Sequence, residues 1–285
     1  MTKIAIISDI HANIDALNLT LKDIEKRNVD KIVCLGDLVT KYFYPAEVVD
    51  AVKANADIVL KGNCDNFVAT DERFKFARGK LGLDRIEYLD NLPKIEQILV
   101  NKALVNLYHS TPKSLEEMFN PLQDNSATAY KDSEIHDYNK MFVSNEPQIS
   151  YTGHTHQEFV GIEKQNQLDL QDTSKSIILS NQDRAIVNVG SVGESSKLVK
   201  KDGKFSTRIN PYLTYAIVDD TNLSTGFKVE IIKVPYKETL KKVYVDMVKM
   251  QEENRAPYSP NDTKKVRDSL IQMGVDESEL KGKGR

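Results

Sequence analysis

The chain has 285 residues, 40% of them apolar, with 39 Lys and Arg against 42 Asp and Glu and a net charge of −3. That size suits one large domain with a substantial core, and the interleaved charges exclude a basic field for nucleic acid. The apolar start of MTKIAIISDI stops at Ser8 and Asp9, which argues against a signal peptide, and no window approaches a membrane span. A cytosolic protein is expected. Two cysteines, Cys34 and Cys64, make a weak case for a disulfide.

From the N-terminus onward, short β-branched runs end in polar or glycine-containing turns. KIAII (3–7) leads to SDIHAN, KIVCL (31–35) to GDLV, DIVL (57–60) to KGNCD, ALVNLY (103–108) to HSTP, QISY (148–151) to TGHTH and AIVNV (185–189) to GSVG. These runs read as buried strands. Between the first of them, Ile14, Leu17, Leu21 and Ile24 share one helical face, and Ala46, Val49 and Val52 share another. Strands alternating with helices predict an α/β architecture, in which ligands gather at the carboxyl ends of strands. The polar turns fall there.

Residues 66–92 and 113–146 are charged and loosely periodic, and both are expected to be helical insertions, either capping a site or decorating the surface. KKDGK at 200–204 reads as a solvated surface loop. From about Glu158 to Val234, short strands with polar hairpins are expected to form an antiparallel sheet edge. After Pro235, Leu240, Val243, Met247 and Met250 make the stripe of an amphipathic helix, and a shorter helix follows near Val266 and Leu270. Residues 1–235 thus form the main domain and 236–285 a helical extension, ending in a disordered KGKGR. The extension's stripe serves either a homodimer or packing on the parent domain.

The chain has five histidines. His136 lies in an insertion and reads as exposed, whereas His11, His109, His154 and His156 follow predicted strands directly, as do Asp9, Asp37 and Asn63. All seven would converge on one rim of the sheet. Imidazole nitrogens mixed with carboxylate and amide oxygens suit manganese, iron, cobalt, nickel or zinc rather than calcium or magnesium. Seven donors exceed the needs of one tetrahedral ion, and two ions ~3.5–4 Å apart sharing a carboxylate would use them all.

SDIHAN, GDLV, GNCD, HSTP and GHTH stand in the order and spacing of the calcineurin-like metallophosphoesterases. Over residues 3 to about 195 the chain resembles their small bacterial and archaeal phosphodiesterase branch. The resemblance implies a four-layer α-β-β-α sandwich of two mixed sheets, two divalent metal ions with manganese foremost, and hydrolysis of a small phosphoester by a metal-bridging hydroxide. By position it implies Asp9, His11 and His156 on one ion, Asn63, His109 and His154 on the other, and Asp37 between them. Asp37, Asn63 and His109 would then carry the chemistry, and His11, Asn63 and Cys64 would meet the substrate.

Cys64 stands where many relatives have histidine. A thiol of pKa ~8.5 is a poor acid beside imidazole at ~6.5 and brings no positive charge, so diester cleavage is the expected activity. A nucleophilic Cys64 is disfavoured, because a dinuclear centre already activates water. Asp65 would orient a ligand histidine or cap the following helix. GSVG reads as a structural turn near the site, Asn13 and Thr155 as loop-shaping residues, and Tyr42, Phe43 and Tyr44 as an apolar wall or ordinary packing. The alternatives are a phosphomonoesterase, including a protein phosphatase, a dinucleotide polyphosphate hydrolase, and a non-catalytic metal-binding scaffold.

Overall fold

A computed structural model describes residues 2–122, 136–201, 204–252 and 260–280. The chain opens with β1 (Lys3–Ile7), α1 (Ile14–Glu25), β2 (Lys31–Cys34), α2 (Pro45–Asn55) and a short β3 (Ile58–Val59). Three helices follow, α3 (Asn63–Thr70), α4 (Lys75–Leu81) and α5 (Leu83–Asn91), then the pair β4 (Ile95–Val100) and β5 (Ala103–Tyr108). Next come β6 (Gln148–Thr152), β7 (Phe159–Lys164), β8 (Gln167–Leu170), β9 (Ile177–Leu179) and β10 (Arg184–Asn188). The hairpin β11 (Ser196–Lys201) and β12 (Lys204–Ile209) precedes β13 (Tyr212–Asp219) and β14 (Phe227–Pro235). The helices α6 (Lys237–Glu252), α7 (Pro260–Gln272) and α8 (Glu277–Leu280) complete the fold.

The strands form two mixed six-stranded sheets, ordered β3-β2-β1-β13-β14-β9 and β4-β5-β6-β10-β7-β8. Successive side chains of a strand point to opposite faces, so β1 serves two cores at once. Ile4 and Ile6 face the second sheet, packing with Val105, Leu107, Ile149, Tyr151 and Val187. Ala5 and Ile7 face the helices, packing with Leu17, Ile24, Val49 and Val52. Asn13 begins α1 by accepting the Ala16 N–H, and Pro45 occupies the first turn of α2, where its missing N–H costs nothing.

This is the α/β sandwich of two mixed sheets that the family resemblance implies, with three local differences from the expected elements. Residues 66–92 are helical as expected, but the described parts of the second segment, 113–122 and 136–146, contain no helix beyond the 3-10 turn Tyr138–Met141. There Phe119, Met141 and Phe142 pack on Tyr108, Phe159 and Ile186 from the outer face of the second sheet. Burial of a few scattered aromatics, rather than a helical stripe, holds that segment in place. Residues 158–234 do contain antiparallel hairpins, yet they are not confined to an edge. β13 lies beside β1 in the centre of the first sheet, with Lys3 opposite Asp219 and Ile6 opposite Ala216. Of KKDGK, Lys200, Lys201 and Lys204 lie in the β11–β12 strands, with Lys201 opposite Lys204, and positions 202 and 203 fall outside the described residues. The closing KGKGR falls outside the described residues.

The stripe of α6 is buried at Leu240, Val243, Tyr244 and Met247, and together with Val266 and Leu270 of α7 it belongs to the core that also contains Leu17 and Ile24. Packing on the parent domain therefore accounts for this stripe. Among the described residues, no helix is long and apolar enough to cross a membrane. Leu240 is fully buried, so Leu240→Ala should cost about 2–5 kcal/mol in a single urea transition. Leu99→Ala, at a side chain 74% exposed, should shift the midpoint by less than about 0.5 kcal/mol. An unchanged midpoint for Leu240→Ala, or a separate early transition, would show that the extension does not fold with the domain.

Candidate metal centre

β1, β2 and β3 run parallel in one sheet, and β5, β6 and β10 run parallel in the other. Their carboxyl ends meet at one rim, and each releases a polar turn there. The turns bind one another before any side chain is considered. Asp9 N donates to Gly36 O at 3.0 Å, and the Asp37 carbonyl accepts from both Ile10 N and His11 N at 2.9 Å. Buried Asp65 accepts four amides: Asp37 N at 2.8 Å and Gly62 N at 2.9 Å on one oxygen, Leu38 N at 2.9 Å and Val39 N at 3.3 Å on the other. Asp65 thus caps α3 and also fixes the Asp37 loop, and it makes no hydrogen bond to a histidine among the described residues.

Glycine permits this crowding at two points. A Cβ on Gly62 would lie 2.1 Å from Asp37 Oδ1, and one on Gly153 would lie 2.1 Å from Ser8 Oγ and 2.3 Å from Asp9 Oδ2. The donor residues themselves adopt a costly backbone. Asp9 (φ 56°), His11 (54°), Asp37 (56°), His154 (67°) and His156 (59°) are all left-handed, a conformation that costs a non-glycine residue about 1–3 kcal/mol.

The strained turns aim their donors inward. Those of Asp9, His11 and His156 form one group and those of Asp37, His109 and His154 another, with all atoms of each group within 4.8 Å of one another. His156 Nε2 lies 3.3 Å and His11 Nε2 3.8 Å from Asp9 Oδ1, while His11 and His156 Nε2 approach to 2.8 Å. In the second group, His109 Nε2 is 3.5 Å from Asp37 Oδ2 and 3.0 Å from Asn63 Oδ1. Asp37 Oδ2 also lies 3.8 Å from His11 Nε2, so this carboxylate stands between the groups. All seven sequence-selected donors are thereby brought together. His136 is exposed and outside them.

The far ring nitrogens are anchored by oxygens. His156 Nδ1 faces the Glu194 carbonyl at 2.9 Å, and His109 Nδ1 faces that of Leu35 at 3.2 Å. A carbonyl only accepts, which assigns a proton to each Nδ1 and turns Nε2 toward the centre. Asp9 Oδ1 and His154 Nε2 are buried and have no hydrogen-bond partner among the described residues. Orphaned lone pairs of a carboxylate and an imidazole, converging in a buried cluster, fit a divalent first-row cation.

The electrostatics agree. Burial, then the Lys41 and His156 charges, lower His11 to about 3, and burial with the His109 charge lowers His154 to about 4. Burial also opposes a charged His109, yet Asp37 and then Asp9 push it up to about 9. In the cation-free protein a proton on His109 thus supplies the positive charge that two buried aspartates require. Burial, followed by the Asp37 charge, pushes Asp65 up to about 7, against the pull of its amide donors.

Cys64 N donates to Asp37 Oδ1 at 2.8 Å, and its sulfur belongs to a third donor group with His11 and Asp37. Both cysteines are free. Asn13 Nδ2 donates to Gly193 O at 2.9 Å, and Thr155 Oγ1 accepts from Asn188 at 3.1 Å. Val192 N and Gly193 N of the GSVG turn donate to Ser8 O and Asp9 O at 2.9 and 2.8 Å. Tyr42 and Phe43 are buried in the helix-side core, and Tyr42 OH donates to Glu194 at 2.9 Å. Sequence reasoning passed over Glu194 and Thr40. The first directly follows GSVG, and Thr40 Oγ1 lies 3.5 Å from His11 Nδ1.

Asp65→Ala would leave four buried amides without an acceptor. At about 1–3 kcal/mol for an unsatisfied group, a loss of at least about 3 kcal/mol in urea unfolding is expected, together with weaker divalent-cation binding. Wild-type stability would refute the role of Asp65 as the clamp of the Asp37 loop.

A family description, the calcineurin-like phosphoesterase superfamily domain, matches residues 2–210. An uncharacterized protein of Methanocaldococcus jannaschii is 30% identical over 265 residues, covering 89% of this chain and 93% of that protein. A metallophosphoesterase structure from Sphaerobacter thermophilus shares 23% identity at a TM-score of 0.62, covering 94% of this chain and 99% of that one. A hypothetical protein from Pyrococcus horikoshii OT3 shares 17% at 0.58, covering 99% and 97%. These two structures speak for the fold. With the family match spanning every donor on the rim, the chain belongs to the calcineurin-like phosphoesterase superfamily of divalent-metal phosphoester hydrolases.

Proposed function

We propose that the chain is a phosphodiesterase in which Asp9, His11 and His156 hold one divalent cation, Asn63, His109 and His154 hold a second, and Asp37 lies between them. Manganese is the proposed ion, and the substrate is a small phosphodiester. Bound cations would supply Lewis acidity toward the phosphoryl oxygens and lower the pKa of an attacking water. The protein's own part is to hold these donors rigidly and to present the first turn of α3, whose positive end favours an anion at Asn63. The reading includes a cytoplasmic location, supported by two free cysteines.

The observation that carries the diester preference is Cys64. Its sulfur sits within 4.8 Å of the His11 and Asp37 donors, and burial, then the Asp37 charge, push the thiol well above its ordinary value. A neutral thiol adds no cation to offset the dianion of a monoester and is a poor proton donor to an alkoxide. A diester carries one negative charge and asks less of this position. With added Mn²⁺, hydrolysis of a bis-aryl phosphodiester is expected to exceed that of the aryl phosphate. A clear monoester preference would overturn the reading. Cys64→His should raise the ratio of monoester to diester turnover, and a constant ratio would count against the leaving-group argument.

Cation binding should also report on His109. Because its pKa is about 9, it is protonated at pH 7.5 in the cation-free protein, and its Nε2 must release that proton before it can donate to a metal. Mn²⁺ binding at pH 7.5 is therefore expected to liberate about one proton per protein, declining as the pH rises past 9. Calorimetric titrations in buffers of different ionisation enthalpy measure this number. A value near zero at pH 7.5 would exclude His109 as the proton-holding donor.

A further inference from the structure

An ion pair ties the C-terminal helices to the loop behind the metal centre. Lys265 of α7 places Nζ 2.9 Å from Glu194 Oε1, with the lysine side chain 36% exposed and the glutamate 12%. Glu194 Oε2 accepts from Tyr42 OH at 2.9 Å, and the Glu194 carbonyl accepts Nδ1–H of His156 at 2.9 Å. Glu194 N donates to Ser191 Oγ, which in turn donates to Asp9 O, each at 2.8 Å. One residue therefore joins a lysine of the extension to His156 and, through Ser191, to the Asp9 turn.

Neighbouring contacts confirm that this loop is gripped from the C-terminal side. Asn13 Nδ2 donates both to Gly193 O at 2.9 Å and to the hydroxyl of Tyr236, which precedes α6, at 2.6 Å. Asn210 holds Ser195 by its backbone N–H at 2.9 Å and by its side chain at 3.0 Å. Burial opposes a charged Glu194, yet Lys41 and then Lys265 hold its carboxyl well below the usual range. The carboxylate is thus a nearly buried anion whose direct ionic partner comes from α7.

We propose that Lys265 is a positioning residue for the metal centre: by anchoring Glu194 it holds the carbonyl that orients His156, so the C-terminal extension sets the cation affinity of the site containing His156. This rests on the reading of His156 as a metal donor. Without Lys265, the Glu194 carboxylate keeps only Tyr42 OH and the more distant Lys41 charge. It then turns toward water, and its backbone shifts with it. The His156 ring loses its fixed tautomer and plane, a kind of change that weakens metal affinity about 10–100-fold.

The test is Mn²⁺ calorimetry on metal-stripped, full-length protein, alongside melting of the metal-free protein. Lys265→Met is expected to weaken one Mn²⁺ site about tenfold or more while barely moving the metal-free melting temperature. Lys265→Arg should restore affinity, because a guanidinium can meet the same carboxylate. Glu194→Gln should weaken the same site, and the double variant should be no worse than either single change. Lys264→Met, which removes an exposed pair with Asp268 on the same helix, should bind as wild type does. Wild-type affinity in Lys265→Met, with one ion lost in His156→Ala, would overturn the proposal and leave the metal assignment standing. If His156→Ala bound Mn²⁺ as wild type does, the assignment itself would fall and the proposal with it. A loss in Lys265→Met that Arg does not restore would also overturn it.

Discussion

A dense, largely buried convergence of imidazole and carboxylate groups is the constraint on which the rest of this structure depends. His11 and His156 bring their Nε2 atoms to 2.8 Å, and Asp9 Oδ1 faces His156 at 3.3 Å with no hydrogen bond of its own. Uncompensated burial of such groups costs several kcal/mol. Four of the cluster's groups are tied down from behind. His109 and His156 are held by carbonyls, Asp37 Oδ1 by Cys64 N, and Asp9 Oδ2 by His154 N at 2.9 Å. What remains free on each side chain is the atom that points to the centre.

That arrangement explains why the strain is local. Five of the seven donors have a left-handed backbone, and the two that do not, Asn63 and His109, sit at the start of α3 and one residue after β5. A helix start and a strand end already aim side chains along the rim, whereas the other turns must reverse sharply to do so. The reversal is stabilised by the amides that converge on Asp65 and by the paired carbonyl of Asp37. The two-sheet core behind them fixes the strand ends from which these turns depart. Preorganisation of this kind is what electrostatic catalysis asks of a protein.

Much of this was legible because it is local. Each donor directly follows a β-branched run, and period-2 burial in β1 and period-3.6 burial in α1 leave a plain trace. Asp65 could be read as a cap from its place three residues after Gly62. Its hold on Leu38 and Val39 could not, since that contact depends on how the β2 and β3 turns meet. The central place of β13 was hidden for a related reason: an alternating strand beside a polar hairpin looks the same at an edge as in the middle. Residues 113–122 and 136–146 misled through composition, because charge and loose periodicity do not separate a helix from irregular chain pinned by Phe119 and Phe142. The pair Lys265–Glu194 spans 71 positions, and no periodicity carries such information.

Near the rim, residues on both sides of position 235 pack together. The family match ends at residue 210, yet β1, which delivers Asp9 and His11, is flanked by β2 on one side and by β13 on the other. Leu213, Tyr215 and Ile217 of β13 share a core with Leu240 and Val243 of α6 and Leu270 of α7. Tyr236 then grips Asn13, the cap of α1, two residues past His11. A change of packing among the C-terminal helices would therefore reach the turns carrying Asp9 and His156, which are held in left-handed backbone. On the proposed role of Lys265, cation affinity is the property through which the extension and the site are coupled.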